Sequence, residues 1–137
     1  MSKYLEGNYL QFPRIFWDKI HNGKIIERSR YRELSVNAKW MYTTLKNMEH
    51  TYTGKENDAS TIFYEGVKNN KNWFYIETER LAYQCGMSES SVRRAKKELI
   101  SCGLIDTCKV YFIDKYGNKS LKWVCGYYIF DGKDPFY

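Results

Sequence analysis

The chain has 137 residues and carries 22 Lys and Arg against 16 Asp and Glu, a formal net charge of +6. This length favours one domain with one core, the charge favours an anionic partner, and a hydrophobic content of 43% excludes global disorder. No run of about 18 apolar residues could span a membrane, and the amino terminus lacks the charged-then-apolar order of a signal peptide. We therefore expect a cytoplasmic protein with no membrane partner.

The first 34 residues combine an aromatic N-terminal arm with a basic connector. The rings of this arm could stack on unpaired bases, but an extension that packs over the core or across a dimer seam is the favoured interpretation. The side chains concerned are Tyr4, Tyr9, Phe12, Phe16 and Trp17.

Residues 35–50 are predicted to form the first helix. Ser35 can cap it, because a serine hydroxyl accepts a backbone N–H of the first turn. Apolar residues recur at steps of four and three, which predicts one buried side. They are Leu34, Ala38, Met41, Leu45 and Met48. Residues 51–72 then have turn-forming ends around a short apolar piece of unassigned type, and we expect a surface excursion there.

Residues 73–130 are predicted to hold a strand, two helices and a hairpin. The letters "WFYI", starting at Trp73, indicate a short strand, and Thr78 or Glu77 can start a helix that Gly86 ends. The apolar side of that helix consists of Leu81, Ala82 and Cys85.

The next predicted helix, from Ser88 to Cys102, carries the candidate binding residues. The Ser88 hydroxyl is expected to accept a backbone N–H near Ser91, and Gly103 ends the helix. The inward side is Val92, Ala95 and Leu99, with Ile100 beside it and Cys102 nearby. The outward side has short polar groups followed by long cations, which suits a groove edged with phosphate. We assign Ser90, Ser91 and Arg94 to base edges, and Arg93 and Lys97 to phosphates or to base edges further along.

The stretches "LIDTCKVYFID" and "LKWVCGYYIF" read as two strands joined by a Gly117-Asn118 turn. The tip of this hairpin is cationic through Lys115, Lys119 and Lys122, with Lys109 on the first strand, and it could reach a flanking minor groove or its phosphates. Residues 88–122 hold eight basic and four acidic side chains. If about four phosphates are neutralised, the logarithm of the binding constant should fall with the logarithm of salt at a slope of about −3.6.

The element order is that of an α+β winged helix-turn-helix, with a three-helix core and a C-terminal two-stranded wing, in a single domain over 1–137. The letters "WFYIETERLAYQCGMSESSVRRAKKELISCGLI" resemble the winged helix-turn-helix segment of many bacterial, phage and plasmid DNA-binding proteins. The upstream "YRELSVNAKWMYTTLKNM" is similar to the first helix of plasmid replication-initiator and phage replisome-organiser N-terminal domains. A large C-terminal region of the initiator kind is not seen here.

This resemblance implies sequence-specific binding of double-stranded DNA by a protein of a plasmid, phage or other mobile element. The expected roles are replication initiation, DNA transfer or copy control. These roles are compatible with a homodimer and with contacts to replication or transfer proteins. Two alternatives stay open: a transcriptional repressor of the same fold, and a winged-helix module that binds proteins instead of DNA.

No catalytic constellation is found, so we expect no enzyme activity and no cofactor. The four cysteines lie 17, 6 and 17 residues apart, without a Cys-x-x-Cys pair. This spacing disfavours a zinc site and favours small core residues. The cysteines are Cys85, Cys102, Cys108 and Cys125.

Overall fold

The computed structural model describes residues 13–52, 62–65 and 73–130. It contains three helices and antiparallel strands, which confirms the predicted α+β class. None of the described helices has the length and hydropathy needed to cross a membrane. The elements in chain order are a 3-10 turn (Arg14–Phe16), β1 (Lys19–His21), β2 (Lys24–Glu27), α1 (Val36–Tyr52), β3 (Ile62–Glu65), β4 (Trp73–Tyr75), α2 (Thr78–Cys85), α3 (Glu89–Ser101), β5 (Ile105–Phe112) and β6 (Val124–Ile129).

Helix α1 begins where the sequence predicts it. The Ser35 hydroxyl accepts the backbone N–H of Ala38 at 3.1 Å, which satisfies one of the donors that a helix N-terminus leaves unpaired. The helix continues to Tyr52, beyond the predicted end at residue 50. Its predicted apolar side lies in the core, with Leu34 half-buried against it. The buried members are Ala38, Met41, Leu45 and Met48.

The N-terminal segment packs on α1 through Phe16. The Phe16 ring meets the rings of Tyr31 and Tyr42 edge to face, at centroid distances of 6.4 and 5.5 Å. Trp17 is instead 53% exposed. Packing of the arm over the core is therefore confirmed for Phe16, while for the exposed Trp17 the predicted alternative, packing across a dimer seam, stays a prediction. The other predicted arm residues, Tyr4, Tyr9 and Phe12, lie outside the described residues.

Helices α2 and α3 meet at a short turn that α1 supports. Gly86 adopts a left-handed φ of 67°, and the backbone N–H of Met87 donates to the Ala82 carbonyl at 3.1 Å, which ends α2. The Met87 side chain packs back against the core. Trp40 of α1 donates its indole N–H to the Cys85 carbonyl at 2.9 Å. The turn is thus tied to both the core and α1.

The predicted two-stranded wing is the inner pair of a larger sheet. The described strands are ordered β3-β5-β6-β4, and every neighbouring pair is antiparallel. Strand β3 runs along the outer part of β5, from Ile62 opposite Phe112 to Glu65 opposite Lys109. The apolar piece left unassigned in the sequence is therefore an edge strand. The outer neighbours supply hydrogen bonds that a lone hairpin would lack.

Gly126 permits the close packing at the base of the wing. A Cβ atom at this position would lie 2.5 Å from the Cys108 sulfur and 3.1 Å from side-chain carbons of Trp73 and Val110. Real side chains do not approach this closely. The glycine therefore lets β4 and β5 pack around β6.

Strands β1 and β2 form a second hairpin, which the sequence analysis did not anticipate. Asn22 and Gly23 have φ values of 52° and 74°, as two-residue turns of the Asn-Gly type require. Every residue of both strands is exposed. The exposed residues include Ile20, Ile25 and Ile26. We call this unit the N-terminal hairpin.

The four cysteines are free thiols placed in or beside the core. Cys85, Cys108 and Cys125 are buried and Cys102 is half-buried, which confirms the structural placement predicted from their spacing. Over residues 13–52, 62–65 and 73–130, no group of three His, Cys, Asp or Glu side chains is arranged to hold a metal ion.

Candidate nucleic-acid interface

The start of α3 is fixed by Ser88. The Ser88 backbone is extended, and its hydroxyl accepts the Ser91 N–H at 3.1 Å, as predicted. The same hydroxyl lies 3.0 Å from the Ser91 hydroxyl and 3.3 Å from that of Ser90. Ser88 therefore positions the first turn of the helix, and Glu89 places a negative charge there that suits the helix dipole.

The two sides of α3 differ as predicted. Val92 and Leu99 are completely buried and Ala95 is 1% exposed, so the inner side is sealed against the core. Arg94 and Lys97 are both exposed on the opposite side. The predicted orientation of the helix is confirmed, and its long cations are available to a ligand. Ser90 and Arg93 are exposed as well.

Arg94 is directed back towards the N-terminal end of α3. One of its guanidinium nitrogens donates to the Ser91 hydroxyl at 3.3 Å, one turn earlier in the helix. Ser91 is only half-buried, and its hydroxyl links Ser88 to Arg94. In a recognition helix the N-terminal residues lie nearest the base edges. Direct base contact by Ser91 stays a prediction, while its support of Arg94 is visible in the structure.

Arg93 has a carboxylate partner that the sequence analysis did not assign. Its guanidinium lies 3.4 Å from the Glu89 carboxylate one turn earlier, and the two side chains are 62% and 48% exposed. Exposed helix pairs of this spacing contribute about 0.3–0.5 kcal/mol. A phosphate could displace Glu89 at small cost, so this pair does not remove Arg93 from the candidate site.

Lys96 differs from the neighbouring cations because it lies against the sheet. Its ammonium is 3.6 Å from the Cys125 sulfur and 5.5 Å from the centre of the Tyr127 ring. Burial raises the pKa of the Cys125 thiol, and the Lys96 charge acts in the opposite direction. Lys96 therefore joins α3 to β6, and it is not part of the outward strip.

Glu98 is held by α1 and so does not neutralise the outward cations by pairing with them. Its carboxylate accepts the Ser35 backbone N–H at 3.0 Å and the Ser35 hydroxyl at 2.6 Å. A carboxylate at a helix N-terminus is favoured by the helix dipole. This contact fixes α3 to the start of α1.

The tip of the wing is organised by Asp114. Its carboxylate accepts the backbone N–H groups of Tyr116 and Asn118, both at 2.9 Å, and Gly117 has a φ of 82°. Asn118 thus shapes the turn through its backbone, and its exposed side chain stays a predicted DNA contact. The charge of Asp114 is directed into the loop.

The wing lysines lie over aromatic rings. This arrangement restricts the lysines and combines cationic with apolar surface. The Lys109 ammonium is 5.2 Å from the Trp123 ring centre, that of Lys119 is 4.2 Å from Tyr111, and that of Lys115 is 5.2 Å from Tyr116. These lysines are predicted from the sequence, whereas the part played by Tyr111 and Trp123 is visible only in the structure. Lys122 is exposed, as predicted.

Strand register places this surface on the same side of the sheet as α3. Lys109 lies opposite Cys125, whose sulfur contacts Lys96 of α3. Side chains two residues apart share one face of a strand, so Tyr111 is on this side too, further towards the tip. Lys109 and Tyr111 therefore lie on the sheet face against which α3 packs.

Comparison with known proteins agrees with this geometry. Residues 67–105 match a family model described as a helix-turn-helix domain. Two solved structures are similar to most of the chain, one described as "N-Terminal domain of DNA binding protein" and the other as "Structure of Rep-DNA complex". Each is 15% identical with a TM-score of 0.58, over 94% of this chain and 79% of the other.

These matches, with the three helices and the antiparallel wing, confirm the predicted winged helix-turn-helix fold. A search of curated proteins finds no match. The matched helix-turn-helix segment contains α2, the Gly86 turn and α3, and so all the candidate residues from Ser88 to Lys97.

Proposed function

We propose that this protein binds double-stranded DNA sequence-specifically, with α3 in the major groove and the wing on the flanking backbone or minor groove. The observation that carries the proposal is the outward strip of α3, in which Ser90, Arg94 and Lys97 are exposed on a helix whose other side is sealed. Arginine can donate two hydrogen bonds to the edge of one guanine, and lysine binds phosphates. Binding needs no cofactor and no catalytic step.

We further propose a role in replication, DNA transfer or copy control on a plasmid, phage or other mobile element. The support is the resemblance of the first helix to replication-initiator and replisome-organiser domains, together with the fold shared with a structure described as a Rep–DNA complex. A map of protected sites tests this role. Protection at an origin or transfer region supports it, whereas protection confined to promoters favours the repressor alternative.

The binding mode is tested with Arg94→Ala and a remote control. A duplex is first selected by the wild-type protein from a random-sequence library. Arg94→Ala should weaken binding to that duplex by about 1–3 kcal/mol, since it removes one base-reading side chain, and should leave the melting temperature unchanged because Arg94 is exposed.

Lys97→Ala and Lys24→Ala form a matched pair, since both remove one exposed lysine. Lys97 lies on α3 and Lys24 on the N-terminal hairpin. Lys97→Ala should weaken binding to all duplexes to a similar extent, while Lys24→Ala should have little effect. Equal affinities for wild type, Arg94→Ala and Lys97→Ala would refute the assignment of α3 as the recognition helix.

A further inference from the structure

Leu121 lies in the wing with its side chain in solvent. Its side chain is 99% exposed, more than any other large hydrophobic side chain among the described residues. The turn that carries it is fixed by Ser120, whose N–H donates to the Phe112 carbonyl at 2.8 Å. The Ser120 hydroxyl accepts the Phe112 N–H at 3.1 Å and donates to the Lys122 carbonyl at 2.7 Å. Leu121 therefore projects from a hydrogen-bonded turn and not from a loose end.

The surroundings of Leu121 are cationic. Lys119 and Lys122 lie two residues before and one residue after it, and both are exposed. Asp114 is the only acidic residue between 113 and 123, and its carboxylate accepts two backbone N–H groups of the turn. An apolar group within a cluster of lysines is complementary to a partner that has apolar surfaces between rows of negative charge. The stacked base pairs and flanking phosphates of duplex DNA have this composition.

We propose that Leu121 is a wedge that enters the minor groove beside the α3 site, partly unstacks one base step and bends the duplex. Apolar side chains inserted in this way kink DNA by about 20–90°. The cost of unstacking is offset because Leu121 leaves water and because the bend brings the wing lysines closer to the phosphates. This inference rests on the proposed function, since it requires that the protein bind duplex DNA.

Leu121 fits this role better than the other exposed side chain of the tip. Tyr116 is 76% exposed, but the Lys115 ammonium lies 5.2 Å from the centre of its ring and its own N–H is held by Asp114. We therefore assign the wedge to Leu121 and not to Tyr116.

The test uses the full chain and the duplex selected by the wild-type protein. The base analogue 2-aminopurine, which fluoresces more strongly when unstacked, is placed in turn at each position flanking the α3 footprint. Donor and acceptor dyes at the duplex ends report the bend. All measurements are made at saturating protein, so that differences in affinity do not enter. The variants are Leu121→Ser, Leu121→Phe and, as a matched loss of an exposed apolar residue outside the wing, Ile26→Ser.

The wild type, Leu121→Phe and Ile26→Ser should unstack one step and bend the duplex, whereas Leu121→Ser should bind with that fluorescence rise lost and the bend reduced. The wedge proposal is refuted if 2-aminopurine fluorescence does not rise at any position when the wild-type protein is bound, or if Leu121→Ser bends the duplex as much as the wild type does. Either result leaves the proposal of DNA binding intact. If the wild type retains no duplex from the library, the proposed function fails and the wedge fails with it.

Discussion

The part of the chain that the structure describes contains two hairpins with glycine turns and lysines, and they differ in what lies beneath them. The wing strands β5 and β6 continue into the core, where Tyr127 is completely buried and contacts Lys96 of α3. The strands of the N-terminal hairpin are exposed along their whole length. A hairpin continuous with a core holds its side chains in place, whereas an isolated two-stranded hairpin is marginally stable in water. The comparison indicates that the wing lysines are held by a sheet that continues into the core, whereas the lysines of the N-terminal hairpin are carried by strands that are exposed throughout.

The largest expected difference between the two hairpins comes from a matched pair of glycine substitutions. Gly126→Ala at the base of the wing should lower the free energy of unfolding by about 1–3 kcal/mol, because the new methyl group meets Cys108, Trp73 and Val110. Chemical denaturation monitored by tryptophan fluorescence measures this loss.

Gly23→Ala is the control for that experiment. Its φ of 74° strains an alanine, but no atom beyond its chain neighbours lies within 4 Å of the added Cβ, and the strands of the hairpin that it closes are exposed along their whole length. The global free energy of unfolding should therefore change by less than about 1 kcal/mol. An equal loss in both variants would show that the N-terminal hairpin unfolds together with the core.

A smaller effect on stability is expected from titration of the Cys108 thiol, which lies on β5. Burial raises the pKa of the Cys108 thiol to about 12 from an ordinary 9.0, and the nearby Cys125 and Asp106 act in the same direction. Between these two values the unfolded chain loses the thiol proton and the folded chain keeps it, so stability must fall as the pH rises. The melting temperature should be lower at about pH 10.5 than at about pH 8.

Cys108→Ala separates this thiol from other alkaline effects. The variant should be less stable at neutral pH, because it removes a buried sulfur, but its melting temperature should fall less steeply above about pH 9. Burial also raises the pKa of the Tyr127 hydroxyl, so part of the alkaline loss should persist. An identical pH profile in the variant would contradict the account, because it would show that the pKa of the Cys108 thiol does not change on folding.

The smallest effect is expected on the N-terminal hairpin itself. Ile25 is 46% exposed, so Ile25→Thr should change the free energy of unfolding by no more than about 0.5 kcal/mol. Duplex affinity, measured by fluorescence polarisation, should also be unchanged. A clear loss of affinity would place the N-terminal hairpin in the binding surface and remove the distinction between the two hairpins.

Local signals in the sequence were sufficient for the helices and for the recognition strip. Ser35 and Ser88 cap where serine chemistry predicts, and Gly86 and Gly103 end their helices with positive φ values. Ile100 was placed beside the core but is 40% exposed. At about 100° per residue it lies about 80° from Val92, at the edge of the apolar side.

The remaining features depend on contacts between distant parts of the chain. Pairing of β3 with β5 and the Ser35–Glu98 hydrogen bonds join residues that no local pattern relates. The inward position of Lys96 could have been predicted, since it lies about 40° from Val92 on the helix. The N-terminal hairpin also had a readable signal in Asn22-Gly23, which the aromatic character of the arm obscured.

The salt dependence of duplex binding tests the central claim most directly. The claim is that the cations of α3 and the wing meet phosphates, and phosphate contacts release counterions whereas apolar contacts do not. Binding of the wild-type protein to its selected duplex is measured from about 50 to about 200 mM salt. We predict a slope of log K against log salt of about −3.6, and a slope near zero would contradict the account.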